Sequence, residues 1–121
     1  MKNNTILIAD DSPTELRLVV ELLRREGYQT ITAADGVEAL EVARRELPRL
    51  AILDIVMPKQ NGFQVTRQLK MMPETKDIKI VLLSSKNQDS DRFWGMKQGA
   101  DEYIGKPFAE EALLAVVARF C

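Results

Sequence analysis

Short apolar runs alternate with helical apolar stripes along the whole chain, and that alternation limits the fold more than any single residue does. The runs are residues 5–9 (TILIA), 28–33 (YQTITA), 50–53 (LAIL), 78–83 (IKIVLL) and 101–105 (DEYIG). An apolar run without polar alternation, bounded by turn residues, is the pattern of a strand buried on both sheet faces, whereas residues 28–33 alternate in character and read as a less buried strand. Between the runs, Leu16, Val19, Val20 and Leu23 recur at i, i+3, i+4 and i+7, as do Leu113, Val116, Val117 and Phe120. That spacing places each set on one face of a helix. Val37, Leu40 and Ala43 with Ala39, then Val65, Leu69 and Met72, give two further stripes, and a fourth helix runs through Phe93, Trp94 and Met96 to Gly99. Five strand–helix units in strict succession predict an α/β fold: a doubly wound, five-stranded parallel sheet with helices on both faces and right-handed crossovers.

The punctuation agrees. Ser12, Pro13 and Glu15 form a capping-box signature, and Asp35 with Glu38 repeats it. Gly27 ends the first helix, Pro48 stops the second, and Asn61 caps the third. No repeat, linker or low-complexity segment interrupts the series, so residues 1–121 are read as one domain without an effector domain. At 121 residues, 45% hydrophobic and 29% charged, such a chain can bury a core without disulfides.

Composition removes several classes of function. A net charge of -1 offers no electrostatic footprint for nucleic acid. No apolar stretch approaches the ~18 residues of a membrane span, and the start is too short for a signal peptide, so a cytoplasmic protein without membrane insertion is expected. The chain has no histidine, which excludes Ser-His-Asp and Cys-His nucleophilic sites and most zinc sites. Its one cysteine, Cys121, cannot form an intrachain disulfide. Any metal must therefore be held by oxygen, which favours a hard cation such as magnesium.

The polar residues at the strand ends carry the chemistry. Asp10 and Asp11 follow the first strand, Asp54 ends the third, Ser84 and Ser85 follow the fourth, and Lys106 follows the fifth. In a parallel sheet these positions share one edge, where doubly wound folds place their sites. Asp10 and Asp11 alone would read as helix N-terminal charge, and Ser84 and Ser85 as helix caps. A third acid, Asp54, arriving from another strand changes that reading, because a cap needs no such partner. Three converging carboxylates repel unless cations are present. With Lys106, a divalent cation and hydroxyls, they supply the parts that stabilise a transferring phosphoryl group, and Asp54, alone at the end of a buried strand, is the best nucleophile.

The segments ILIADDS (6–12), AILDIVMPKQNG (51–62), VLLSS (81–85) and KPF (106–108) lie in order on the predicted strands. With these, the chain resembles the receiver domain of two-component response regulators, the CheY-like family, over nearly its whole length. The resemblance implies a (βα)5 flavodoxin-like sheet of order 2-1-3-4-5. It also implies a phosphoacceptor at Asp54, Mg2+ at Asp10, Asp11, Asp54 and the Val56 carbonyl, and phosphoryl contacts from Ser84 and Lys106. Tyr103 matches an aromatic switch residue coupled to Ser84, and Lys106-Pro107 a cis peptide. The chain departs from the common pattern in two ways: Ser84 and Ser85 stand where threonine and alanine are frequent, and Val56 and Lys86 occupy positions at which family members differ in phosphoryl lifetime. The stretch WGMKQGADEY (94–103) is similar to regulators of type IV pilus and twitching motility.

The implied function is a stand-alone receiver, monomer or weak dimer, phosphorylated by a histidine kinase in trans. It would assist its own phosphorylation and dephosphorylation without being a turnover enzyme. Its output would be protein binding through helix four, strand five and helix five, with Trp94 as an anchor. For Phe93 and Trp94 the competing expectation is one core and one surface aromatic, and for Tyr103 a packed strand residue. Other classes compatible with the residues are a phosphorylation-independent module, a fragment of a larger regulator, an aspartyl phosphatase, which would want an acid where Val56 stands, and a flavin binder.

Overall fold

The computed structural model describes residues 4–121. Strands β1 (Thr5–Ala9), β2 (Gln29–Ala33), β3 (Leu50–Leu53), β4 (Lys79–Ser84) and β5 (Glu102–Gly105) alternate with helices α1 (Pro13–Arg25), α2 (Gly36–Glu46), α3 (Gly62–Met71), α4 (Asp89–Lys97) and α5 (Glu110–Phe120). The strands pair in parallel in the order β2-β1-β3-β4-β5. The direction of strand order therefore reverses between β1 and β3.

Side-chain alternation along the strands divides the core in two. Leu7, Ala9, Ala51, Leu53, Ile80 and Leu82 face one side, where Ala39, Val42 and Ala43 of α2 and Val65 and Leu69 of α3 cover them. Ile6, Ile8, Leu50, Ile52, Val81 and Leu83 face the other, against Val19, Leu22 and Leu23 of α1 and Leu113 and Val117 of α5. All are buried. Each large aliphatic side chain so placed contributes roughly 1.5–3 kcal/mol of transfer free energy, which is why β1, β3 and β4 must be apolar on both faces.

Register sets what emerges at the sheet edge. Ala9 pairs with Leu53, so Asp10 and Asp54 leave neighbouring strands side by side, and the Asp54 amide donates to the Ala9 carbonyl at 2.9 Å. Ser84 pairs with Gly105, and the Lys106 amide donates to the Ser84 carbonyl at 2.9 Å.

Several local expectations shift. β4 starts at Lys79 because the Ile78 amide still belongs to the preceding turn, donating to Thr75 at 3.0 Å. β5 starts at Glu102 because the Asp101 carboxylate is used elsewhere, accepting from the Ile80 amide at 2.8 Å and from Lys70 Nζ at 3.0 Å. In α2 the buried stripe is Gly36, Ala39, Val42 and Ala43, leaving Val37 exposed. Gly27 follows α1 with φ of +89°, as a helix-ending glycine does. Asn61 and Gln64 form a reciprocal capping box at 2.9 Å in each direction. At α1 the box is incomplete: Ser12 Oγ accepts from the Glu15 amide at 3.4 Å, but the Glu15 carboxylate goes to Lys106.

The largest correction concerns α4. Neither aromatic is core: Phe93 is 65% exposed, Trp94 51% and Met96 46%. The buried residue of α4 is Gly95, lying on Leu82 and the Tyr103 ring, where a Cβ would come within 2.7 Å of Leu82 Cδ1. The Tyr103 ring fills the space a helix side chain would need. Nor do Ser84 and Ser85 cap this helix; its N-cap is Gln88.

Gly62 is the glycine with most bearing on the site. It opens α3 directly under the strand-end loop, its amide donating to the Ile55 carbonyl at 2.9 Å. A Cβ there would strike the Asp54 carbonyl and come 2.9 Å from Ile55 Cα, both backbone and unable to yield cheaply. Alanine is the better helix former, so helix propensity alone predicts a gain for Gly62→Ala. Overpacking predicts a loss of about 1–3 kcal/mol instead. Urea unfolding with an unchanged slope and a lower midpoint is the expected result.

Candidate functional site

Asp10, Asp11 and Asp54 meet at the C-terminal edge of β1 and β3, each offering a carboxylate oxygen within 4.8 Å of the others. Asp10 is buried, Asp54 half-buried and Asp11 exposed. Asp10 is fixed at both oxygens: Oδ1 accepts from the Ser12 amide at 2.9 Å, and Oδ2 from Lys106 Nζ at 2.8 Å. Asp54 Oδ2 lies 3.4 Å from Lys106 Nζ, and its Oδ1 accepts from the Val56 amide at 3.4 Å. Lys106 sits across the cluster at the end of β5, beside a cis Lys106-Pro107 bond. Ser84 is fully buried at the end of β4, and its Oγ accepts from the Lys86 amide at 3.3 Å. Val56 is exposed on the loop that follows Asp54.

The electrostatics follow from this crowding. Burial pushes the Asp54 carboxyl above the usual carboxylate range; the Ser84 hydroxyl and the Lys106 charge pull it back, while Asp10 adds to the rise. For Lys106, burial alone would lower the pKa, but hydrogen bonds to Asp10 and Glu15 and the Asp54 charge outweigh it, so the ammonium is held protonated. Against these three acids the described cluster thus sets one firm positive charge, Lys106.

Tyr103 lies inside, 3% exposed. Its hydroxyl donates to the Lys86 carbonyl, so the segment carrying the Ser84–Lys86 bond is tied to β5. Arg92 of α4 stacks on the Tyr103 ring, 5.2 Å from its centroid, and donates to the Tyr103 carbonyl at 3.1 Å. Burial raises the Tyr103 pKa, with Asp91 adding to the rise.

The model of the response regulator receiver domain matches residues 6–118. The chain belongs to that family. It is 44% identical to Protein PilH of Pseudomonas aeruginosa over 112 residues, 93% of each chain. Several further relatives are longer proteins, and the chain spans a little under half of their length. Among solved structures, it is 32% identical to the chemotaxis protein CheY4 of Vibrio cholerae with a TM-score of 0.89, covering 97% of this chain and 98% of that one. It is also similar to the receiver domain of the sensor histidine kinase PA1611 of P. aeruginosa, at 25% identity and a TM-score of 0.90 over 98% and 97% of the two chains. That structure has a magnesium ion coordinated in its active site cleft.

The sequence-predicted residues of this receiver are thus gathered at one edge: Asp10, Asp11, Asp54 and Lys106 in direct proximity, Ser84 beside Asp54, and Val56 on the adjoining loop. Ser85 instead points to a neighbouring groove of about 500 Å3 between α1 and the start of α5, lined also by Glu15, Leu18, Leu22, Pro107 and Phe108. Two contacts escaped the sequence reading, Glu15 with Lys106 and Arg92 with Tyr103. Glu15 was hidden by its capping signature, and Arg92 lies in a helix whose apolar pattern gives no orientation. The donor set fits a hard divalent cation. It is all oxygen, carries excess negative charge, and includes the Asp11 carboxylate, which no described residue engages.

No described helix of the receiver is long and apolar enough to cross a membrane.

The raised Asp54 pKa has a definite linkage sign. An acid whose folded-state pKa lies above its unfolded value lowers stability when ionised, and that penalty is relieved as pH falls below the unfolded carboxylate range. Without divalent metal, Asp54→Asn is therefore expected to stabilise the protein at pH 7, seen as a higher Tm than wild type. The gain should vanish near pH 3, and thermal melts at the two pH values in chelator measure it.

Proposed function

We propose that this receiver accepts a phosphoryl group on Asp54 from the phosphohistidine of a partner kinase, with Mg2+, and signals by a phosphorylation-dependent change in protein binding. The observation that carries the reading is the convergence of Asp10, Asp11 and Asp54 with Lys106 at the end of the sheet. These 121 residues contain no histidine, so the donor histidine lies outside them. In the transfer, a P–O bond to Asp54 Oδ forms as the P–N bond of the donor breaks; the bonding pair stays on the departing nitrogen, and the ring leaves as neutral imidazole protonated at its other nitrogen.

Each residue has a part consistent with its position. Asp54 is the nucleophile; burial disfavours its charged form, and the Ser84 hydroxyl and the Lys106 charge act against that cost. Asp10, Asp11, Asp54 and the Val56 carbonyl are the groups that would hold the magnesium. When bound, magnesium neutralises negative charge that accumulates on the phosphoryl oxygens. The Lys106 ammonium and the Ser84 hydroxyl donate to those oxygens, as preorganised donors do at transferring phosphoryl groups. The low dielectric around Ser84, which is fully buried, strengthens its hydrogen bonds.

The readout runs from Ser84 to α4. Ser84 bonds the Lys86 amide, the Lys86 carbonyl accepts from Tyr103, and Arg92 of α4 clasps Tyr103. A pull of Ser84 toward a phosphoryl oxygen therefore reaches α4 through three contacts, with Tyr103 as the switch residue. Phe93, Trp94 and Met96 stand exposed on α4, and Trp94 is the natural anchor for a protein target on the α4, β5 and α5 face. The identity with PilH supports placing that target in pilus-type control.

Intact-mass measurement after incubation with a small phosphodonor and magnesium is the test. The wild type should gain one phosphoryl group, whereas Asp54→Ala and chelator-treated protein gain none. An unchanged wild-type mass would sink the proposal.

A further inference from the structure

The Lys106 ammonium has three N–H donors, and three carboxylates surround it. Asp10 Oδ2 lies at 2.8 Å, Asp54 Oδ2 is farthest at 3.4 Å, and the third is Glu15 Oε1, in close contact. Lys106 is thus bound more tightly to its flanks than to the residue read as phosphoacceptor.

Glu15 is in an unusual position for this contact. It is the third residue of α1 and stands where a capping-box acid would turn back to the Ser12 amide. The Ser12 amide is instead satisfied by Asp10, at 2.9 Å. That leaves the Glu15 carboxylate free to cross to β5, and it does so to Lys106. The two partners differ in mobility: the Lys106 side chain is 12% exposed, that of Glu15 49%. Asp10 is buried and fixed at both oxygens, so it stays with Lys106 whatever happens at Asp54. Only Glu15 can leave without desolvated charge being stranded.

We propose that Glu15 is a positioning residue that holds Lys106 toward α1 and must release it before a phosphoryl group on Asp54 gains its lysine contact. Glu15 sets a threshold against the phosphorylated state, because an anionic oxygen at Asp54 competes with a carboxylate already in place. The proposal rests on the reading of Asp54 as phosphoacceptor. Glu15 also lines the groove between α1 and α5, so anything seated there meets the residue that restrains Lys106.

The test is the equilibrium affinity for beryllofluoride, a noncovalent phosphoryl mimic, in saturating magnesium, measured by calorimetry on wild type, Glu15→Gln and Glu110→Gln. Glu110 lines the same groove but pairs with Arg25 at 3.3 Å rather than with Lys106. Its variant removes the same charge without touching the restraint. Glu15→Gln should bind the mimic about fivefold more tightly than wild type, the scale of one exposed charge pair. Glu110→Gln should stay within about twofold of wild type. In the unliganded proteins, the Lys106 15Nζ resonance should move in Glu15→Gln and not in Glu110→Gln. Equal affinities for wild type and Glu15→Gln, or equal tightening in both variants, would overturn the role of Glu15. A wild type that binds no beryllofluoride would instead overturn the phosphoacceptor reading beneath it.

Discussion

Everything at the functional edge depends on holding three carboxylates against one ammonium at the end of an apolar sheet. Asp10 and Asp54 leave adjacent strands in register, and Lys106 arrives from β5 to lie between them. Burial raises the cost of ionising Asp54, and the Asp10 charge raises it further. A site built only for stability would not keep this arrangement, since like charges at such range disfavour one another. The arrangement makes sense where a divalent cation and then a phosphoryl group complete it. The family assignment places the chain among domains of that kind.

The fold supplies rigidity where the chemistry needs it and leaves freedom where the signal must pass. β1, β3 and β4 are apolar on both faces and covered by α1 and α5 on one side and α2 and α3 on the other. Asp54 therefore directly follows a well-packed strand, backed by a glycine that lets α3 approach its carbonyl. The far side of the site differs. α4 buries only Gly95 and exposes Phe93, Trp94 and Met96, and it is held to β5 by Arg92 across Tyr103. Few buried apolar contacts and a polar clasp are what an element needs if it is to shift with modest free energy.

Much of this was legible in the sequence, for physical reasons. Strands buried on both faces must read as continuous apolar runs, so the sheet and the residues at its ends could be placed before the structure. Asp10, Asp11, Asp54, Ser84 and Lys106 followed from their places at strand ends. α4 was legible only in its existence. Its buried face is a glycine against a tyrosine from β5, and periodicity cannot reveal a face made by an absent side chain. Val37 was misplaced because the inner stripe of α2 runs through Gly36, Ala39, Val42 and Ala43, which turns the neighbouring Val37 outward. Glu15 was misread because its local capping signature is real, yet the Ser12 amide had already been taken by Asp10.

The central claim is that the acidic edge is a cation site coupled to Asp54. A magnesium titration followed by 1H–15N correlation spectra tests it most directly. Saturable shifts should centre on the amides of residues 10–12, 54–57 and 84–86, and should be lost in Asp11→Ala. Absence of saturable shifts, or shifts clustered away from this edge, would contradict the account.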